Sequence, residues 1–158
     1  MAYAPWLAGQ RITAQRLADI SGTWTSYTPT WVGLTALGAS ASTGRWARIG
    51  DTIHVIVALS WGTGSTMGTG ALTASLPVAA SAAPLSPGGW QGLGRYVPGD
   101  GSSWRIMAGL VQPAATTMNA FVVRWTDSGY VNPGTTPTPG YPWAAGSSMR
   151  LEVTYEAA

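Results

Sequence analysis

The fold is decided by the stretch GRWARIGDTIHVIVALSW, which runs from Gly44 to Trp61. Its second half places apolar side chains at every other position, the two-residue period of a strand with one buried face. Those side chains are Ile53, Val55, Val57, Leu59 and Trp61. Its first half predicts a strand ending in a Gly50-Asp51 turn, a dipeptide typical of tight turns. The stretch therefore predicts a β-hairpin.

A second alternating stretch, MRLEVTY, covers residues 149–155. It predicts a strand whose polar side chains face water: Arg150, Glu152 and Thr154. Three further strands are predicted over residues 71–76, 106–111 and 120–125. The last would place on one face the side chains of Phe121, Val123 and Trp125.

Between these runs lie stretches rich in Gly, Pro, Ser and Thr, at the spacing typical of a sandwich. We expect four long connections, over residues 61–70, 79–92, 97–103 and 127–143. The last contains Pro133, Pro137, Pro139 and Pro142, and proline this dense forbids a central strand. The sequence predicts an all-β fold, an antiparallel β-sandwich of jelly-roll type, over residues 24–158.

Residues 1–23 are predicted to be a separate docking segment, helical or extended. Residues 9–20 have helical character, and Thr13 is placed to be the N-cap of that helix. About two turns of helix are too short to be stable alone in water, so we expect the segment to dock on its own domain or on a neighbouring subunit. The candidate docking residues are apolar: Ile12, Leu17 and Ile20. Residues 1–10 lack the pattern of a standard secretion signal.

Charge is scarce, since only 9% of residues are Asp, Glu, Lys or Arg, where globular domains average about 25%. A neutral surface on a lone monomer would risk association, whereas it is expected where identical neighbours meet. The scarcity therefore predicts a homo-oligomer. The basic residues are all Arg, are spread along the chain and leave a net charge of only +2, so we expect no nucleic-acid partner. No apolar stretch reaches the length of a membrane span, so we expect no membrane partner.

Sequence patterns of catalysis are missing. The one histidine, His54, lies within a predicted strand, where a solvated or cross-strand-paired role is expected. No nucleophile elbow, zinc-protease motif or P-loop occurs, and there is no cysteine. We therefore expect that the protein is not an enzyme and that it binds neither a metal nor a cofactor. The six scattered acids nevertheless leave paired-carboxylate glycosidase chemistry open.

The aromatic composition of the chain is unusual, with nine Trp and six Tyr against one Phe. Such rings can stack on sugars or bury at interfaces. For Trp46, Trp61 and Trp125, within predicted strands, we expect packing in the core or at a subunit interface. The candidates for binding a glycan or anchoring an interface lie in or beside connections: Trp90, Trp104, Tyr130, Tyr141 and Trp143.

Two segments resemble a known family. WTSYTPTW, residues 24–31, and GRWARIGDTIHV, residues 44–55, resemble the "Y-x-P-x-W … G-x-Y/W-x-R-x-G-D-x-V" pattern of bacteriophage tail-fibre and minor-tail proteins. The opening residues 11–14 with Leu17 are similar to the start of short tail-associated proteins in phages of high-GC actinobacteria. Residues 75–78, SLPV, are similar to a strand end where such domains leave one sheet.

The resemblance implies a β-sandwich, commonly a homotrimer, carried at a tail tip or fibre end of the virion. Its partners would be itself, other virion proteins bound through the N-terminal segment, and a host cell-surface polysaccharide. A capsid decoration or head-fibre protein with a purely structural role is the alternative. A depolymerase is disfavoured by the missing catalytic motifs.

Overall fold

The structure is a computed structural model that describes residues 13–14, 22–68, 71–83, 88–101, 104–122, 124–126, 129–131 and 144–158. These residues form thirteen β-strands: β1 Thr25–Tyr27, β2 Trp31–Val32, β3 Leu34–Ala36, β4 Ala41–Ile49, β5 Thr52–Ser60, β6 Thr66–Met67, β7 Leu72–Ser75, β8 Trp90–Val97, β9 Arg105–Val111, β10 Thr117–Val122, β11 Arg124–Thr126, β12 Gly129–Val131 and β13 Ser148–Glu156. Apart from Thr13 and Ala14, the predicted N-terminal helix lies outside the described residues.

Nine of the strands form one antiparallel sheet in the order β1-β4-β5-β13-β8-β9-β10-β7-β2. Two short ladders, β11 with β12 and β3 with β6, stand apart from it. The all-β prediction is confirmed at this level, and the architecture is a single curled sheet.

The predicted hairpin is confirmed as β4 and β5, which pair from Ala41 opposite Ser60 to Ile49 opposite Thr52. Gly50 takes a positive φ of 61° in the turn, a conformation that glycine adopts at little cost. The predicted C-terminal strand is confirmed as β13, which pairs with β5 over its whole length. The predicted strands over 71–76 and 106–111 correspond to β7 and β9.

The core lies on the inner face of the curled sheet. Each strand contributes alternate side chains, as the strand period requires, so that the alternating residues of β5 and β13 are all buried. They are joined by buried side chains from the other half of the sheet: Leu72, Ala74, Tyr96, Met107, Val111 and Met118. The predicted buried face of Ile53 to Trp61 is therefore confirmed.

The sheet bends where β8 meets β13, and glycine permits the bend. Gly92 and Gly94 alternate on the inner side of β8, and a Cβ built on them would overlap the carbonyl oxygens of Glu152 and Arg150. Strand glycines commonly mark such close backbone approach. Leu93, between them, points outward.

The bend brings the two edges of the sheet together. β1 and β2 lie at opposite edges, yet only residues 28–30 separate them in sequence. A chain spans at most about 3.6 Å per residue, so the two edges lie close to each other. Thr30 and Ser75 exchange backbone and side-chain hydrogen bonds at 2.9 Å, which fixes this short connection against β7.

Four sequence predictions are wrong in detail. The connection predicted over 61–70 contains β6, and the connection predicted over 127–143 contains β12. The strand predicted over 120–125 is two strands, since β10 ends at Val122 and Trp125 belongs to β11, which pairs with β12 instead. The connection predicted over 79–92 ends earlier, because β8 begins at Trp90. Glycines at alternate inner positions removed the apolar alternation that reveals a strand, so β8 was missed.

Candidate functional site

One end of the curled sheet gathers most of the long connections. There β5 ends opposite the start of β13, which in turn lies opposite the end of β8. We call this region the loop end; it comprises residues 37–40, 61–65, 98–101, 104 and 144–147. Three of the four predicted connections begin or end at this end, whereas the connection after β7 starts at the opposite end, where Ala80 pairs with Ala157.

The chain enters the sheet at that opposite end. β1 is antiparallel to β4 and begins with Thr25 opposite Trp46. Just before it, Gly22 lies against Ile49, beside the Gly50-Asp51 turn. The start of the domain and the loop end are therefore separated by the length of the strands.

A buried serine ties the loop end together. The Ser147 hydroxyl accepts hydrogen bonds from the backbone N–H groups of Gly99 at 3.0 Å and Ala144 at 3.2 Å. It also lies 3.3 Å from the Tyr96 hydroxyl. Ser147 has no solvent exposure, and buried polar groups of this kind need their partners. Two connections that are distant in sequence are therefore held in a fixed arrangement.

A second set of hydrogen bonds fixes the other side of the loop end. The Ser40 and Ser65 hydroxyls lie 2.6 Å apart, and Ser65 donates to the Leu37 carbonyl oxygen at 2.6 Å. Ala39 donates its backbone N–H to the Thr63 carbonyl oxygen at 3.0 Å. Serine and glycine, which carry little packing surface, thus build an ordered platform by hydrogen bonding.

Trp104 lies at the loop end with 63% of its surface exposed. It lies directly before β9, and its carbonyl oxygen accepts a hydrogen bond from the Arg105 guanidinium at 3.1 Å. An exposed indole beside charged and polar groups is a surface on which a sugar ring can stack.

Charges of both signs accompany this indole. Burial raises the pKa of the Tyr96 hydroxyl; the Ser147 hydrogen bond lowers it, the Asp100 charge raises it and the Arg105 charge lowers it. Both ionised side chains therefore act on the Tyr96 hydroxyl. The loop end thus offers one exposed aromatic ring with a carboxylate and a guanidinium in the same region.

Trp90, a second candidate aromatic, lies far from Trp104. Trp90 opens β8 opposite Val111, at the other end of the sheet, about 23 Å away along β9 at the usual strand rise. It is half-buried, packs against the core and meets Tyr155 edge-to-face with ring centroids 6.4 Å apart. This position favours packing for Trp90.

The remaining candidates are less fully described. Tyr130 lies in β12 opposite Trp125, and only its backbone is described. Outside the described residues lie the last two aromatics and the three docking residues: Tyr141, Trp143, Ile12, Leu17 and Ile20. Of the packing candidates, Trp61 is buried and Trp46 is half-buried against the core.

An outer-face cluster near the chain's start escaped sequence reasoning. Trp24 meets His54 edge-to-face with ring centroids 5.5 Å apart, and the Arg45 guanidinium lies 4.7 Å from the Trp24 ring. His54 Nδ1 lies 2.7 Å from the Thr154 hydroxyl, so the predicted cross-strand pairing of His54 is confirmed. A residue before a short edge strand gives no periodic signal, so Trp24 could not be placed from sequence.

Within the described ranges, His, Asp and Glu side chains do not gather in the groups of three that could hold a metal ion. We find no helical segment with the length and hydropathy of a membrane span in the same part of the chain. Comparison of the chain with protein-family models, with curated proteins and with solved structures gave no match.

Proposed function

We propose that this protein is a non-enzymatic virion protein of a tailed bacteriophage, a tail-fibre or minor-tail component that contacts polysaccharide on the host surface. The N-terminal segment attaches it to the particle, and the loop end faces the host. The proposal includes assembly of the protein as a homotrimer. The trimer forms in the host cytoplasm and is carried on the virion.

The observation that carries the proposal is that the chain's entry point and the exposed aromatic ring lie at opposite ends of the domain. The chain enters beside Ile49 at one end of the sheet, and the exposed Trp104 stands at the other. An adhesive domain on a particle needs this separation, since its attachment must not cover its binding surface. The ordered loop end suits recognition, because a rigid surface loses little conformational entropy on binding.

The residues of the phage-like motif also support the proposal, through their position. Tyr27 and Trp31, at the two edges of the sheet, are both half-buried against the core, and Pro29 between them is buried. The second half of the motif forms the β4–β5 hairpin. Each half of the motif thus helps to build the sheet. These residue types therefore have a structural reason to occur together that involves no catalytic role.

The jelly-roll-like sandwich belongs to the proposal as well. The inner face of β4, β5 and β13 contributes to the same core as the inner face of β9, β10 and β7. We propose that these two halves act as the two layers of a sandwich that the bend at β8 connects.

Retention on cell walls tests the adhesive role. The probe is insoluble cell wall from a panel of actinobacteria, incubated with the full chain and sedimented. We expect the protein to sediment with at least one wall and to be released by soluble polysaccharide extracted from that wall. Failure to sediment with any wall would contradict the adhesive role.

The alternative, a decoration or head-fibre protein, draws support from exposed aliphatic side chains on the outer face of the sheet, which suit an interface. It predicts that deletion of residues 1–20 prevents incorporation into particles, while alanine at Trp104 leaves adsorption unchanged. Loss of adsorption in the Trp104→Ala variant would favour the adhesive role.

A further inference from the structure

Two arginines lie side by side on the outer face of the sheet, close to the loop end. Arg95 of β8 and Arg150 of β13 are direct cross-strand partners, and both are exposed. Residues directly opposite each other in an antiparallel ladder share a face, with Cβ atoms about 5 Å apart, and like charges in that arrangement are destabilising. The free domain therefore holds two guanidinium groups together at a cost in stability.

Acidic side chains neutralise this arginine pair only in part. Between the residues that the structure describes there are two ion pairs, Arg48 with Asp51 and Arg150 with Glu152. Neither includes Arg95. The side chains of Arg150 and Glu152 are 55% and 43% exposed, and exposed ion pairs are worth little in water. An anionic ligand can therefore replace Glu152 on Arg150 and contact Arg95 at the same time.

The arginine pair is close to Trp104. Ile106 lies opposite Arg95, and neighbouring strands are about 4.8 Å apart. Trp104 is two residues before Ile106, which is at most about 7 Å of chain. The Cα atoms of Trp104 and Arg95 are therefore within about 12 Å of each other. An extended glycan of a few sugar units can contact the exposed ring and the arginine pair together.

The chemistry of guanidinium selects the kind of glycan. An aromatic ring alone stacks on neutral and charged sugars alike. The planar guanidinium fork matches the paired oxygens of a carboxylate or a phosphate, and these charge-assisted hydrogen bonds are stronger than those to neutral hydroxyl groups. A ligand that carries negative groups would also remove the repulsion between Arg95 and Arg150.

We infer that the loop end, extended by Arg95 and Arg150, binds an anionic polysaccharide that carries phosphodiester or carboxylate groups. The ring of Trp104 stacks on a sugar, and the two guanidinium groups hold negative groups of the same polymer. The inference rests on the proposed adhesive role and specifies the class of its ligand.

Charge variants test the inference by retention on an actinobacterial cell wall that the wild-type protein binds. We expect Arg95→Gln to weaken retention about tenfold, the value of one charge-assisted contact. Glu152→Gln should strengthen retention, because it releases Arg150 from its carboxylate. Arg48→Gln removes the same charge at the turn end of β4, so it is the matched control and should bind as the wild type does. Retention that ignores both Arg95→Gln and Arg150→Gln would overturn the inference.

Thermal unfolding separates a binding defect from a folding defect. Arg95→Glu places opposite charges on cross-strand partners, so we expect its unfolding midpoint to equal or exceed that of the wild type. Its retention should nevertheless fall at least as far as that of Arg95→Gln. A midpoint below that of the wild type would contradict the repulsive pair on which the inference depends.

Chemical treatment of the wall identifies the negative group. Cold hydrofluoric acid cleaves phosphodiesters, whereas carbodiimide activation followed by borohydride reduction converts carboxylates into alcohols. We expect at least one treatment to abolish retention, and a rise in sodium chloride from about 50 to about 200 mM to weaken it. Retention that survives both treatments would overturn the inference. Duplex DNA that competes as well as soluble polysaccharide from the same wall would reveal a surface for any polyanion and overturn it equally.

The proposed adhesive role fails by a different result. A protein that sediments with no untreated wall refutes the adhesive role, and the anionic ligand with it. A protein whose retention depends on Trp104 but not on the arginine pair or on the negative groups of the wall keeps the adhesive role and refutes the anionic ligand alone.

Discussion

Trp31 donates its indole N–H to the Ser42 hydroxyl across 2.9 Å. Trp31 belongs to β2, at one edge of the nine-stranded sheet, and Ser42 belongs to β4, next to the other edge. The same hydroxyl donates to the Pro29 carbonyl oxygen at 2.9 Å. One serine side chain therefore fastens the two edges of the sheet.

Replacing that serine should weaken the closure. Ser42→Ala leaves the half-buried Trp31 N–H without its acceptor, so we expect the free energy of unfolding to fall by about 1–3 kcal/mol. Urea denaturation followed by tryptophan fluorescence measures it. Thr43→Ala, on the exposed side of the same strand, should change stability by about 0.5 kcal/mol or less. Equal losses in the two variants would show that the hydroxyl does not hold the edges together.

The bend at β8 should tolerate no side chain at position 94. A methyl group at position 94 would overlap the Arg150 carbonyl oxygen, and backbone cannot yield as a side chain can. We expect Gly94→Ala to cost about 3 kcal/mol or more, at the upper end of overpacking effects. Gly88→Ala is the control, because a Cβ there meets nothing within 4 Å. A stable Gly94→Ala variant would mean that the sheet bends elsewhere.

The loop end depends on Ser147. Ser147→Ala removes the acceptor for the Gly99 and Ala144 N–H groups, so we expect about 1–3 kcal/mol of destabilisation and faster amide exchange at these two positions. Ser26→Ala, exposed in β1, is the matched control. An unchanged rate of amide exchange at Gly99 would contradict the role of Ser147 in holding the loop end in a fixed arrangement.

Alkaline pH should destabilise the fold through its buried tyrosines. Burial raises the pKa of Tyr155 from 10.0 to about 12, although its hydrogen bond to Val78 lowers it, and burial with the nearby Tyr155 charge raises the pKa of Tyr27. Because these pKa values are raised in the folded state, the stability that the neutral tyrosines contribute is complete below about pH 10 and is lost as pH rises towards 12. Urea midpoints and phenolate absorbance across that interval measure it. Phenolate formation by both residues near pH 10 in folded protein would refute the expectation, and Tyr155→Phe should flatten the pH dependence.

Periodic segments were predictable from sequence. Residues 53–61 and 149–155 carry an apolar side chain at every other position, and the structure places them as neighbouring strands with the predicted faces buried. β8 was not predictable, because Gly92 and Gly94 occupy the inner positions where an apolar side chain would mark a strand. The curl was hidden for the same reason, since those glycines create it.

The candidate site was predicted only in part. Exposure of Trp104 could be expected from its place beside a Gly- and Ser-rich connection. The separation of Trp90 from Trp104 could not be predicted, because proximity in sequence does not reveal that β8 carries the chain from one end of the sheet to the other. The role of Ser147 was invisible, since a serine becomes a buried acceptor only through residues distant in sequence.

The most direct test of the proposed role compares two exposed tryptophans at opposite ends of the sheet. Trp104 is 63% exposed at the loop end, and Trp24 is 43% exposed near the start of the domain. We would measure retention of the wild-type protein, Trp104→Ala and Trp24→Ala on the same actinobacterial cell wall. The account predicts at least a tenfold loss of affinity for Trp104→Ala, roughly the value of one stacked aromatic ring, with Trp24→Ala binding as the wild type does. Equal retention of all three proteins, or loss confined to Trp24→Ala, would contradict it.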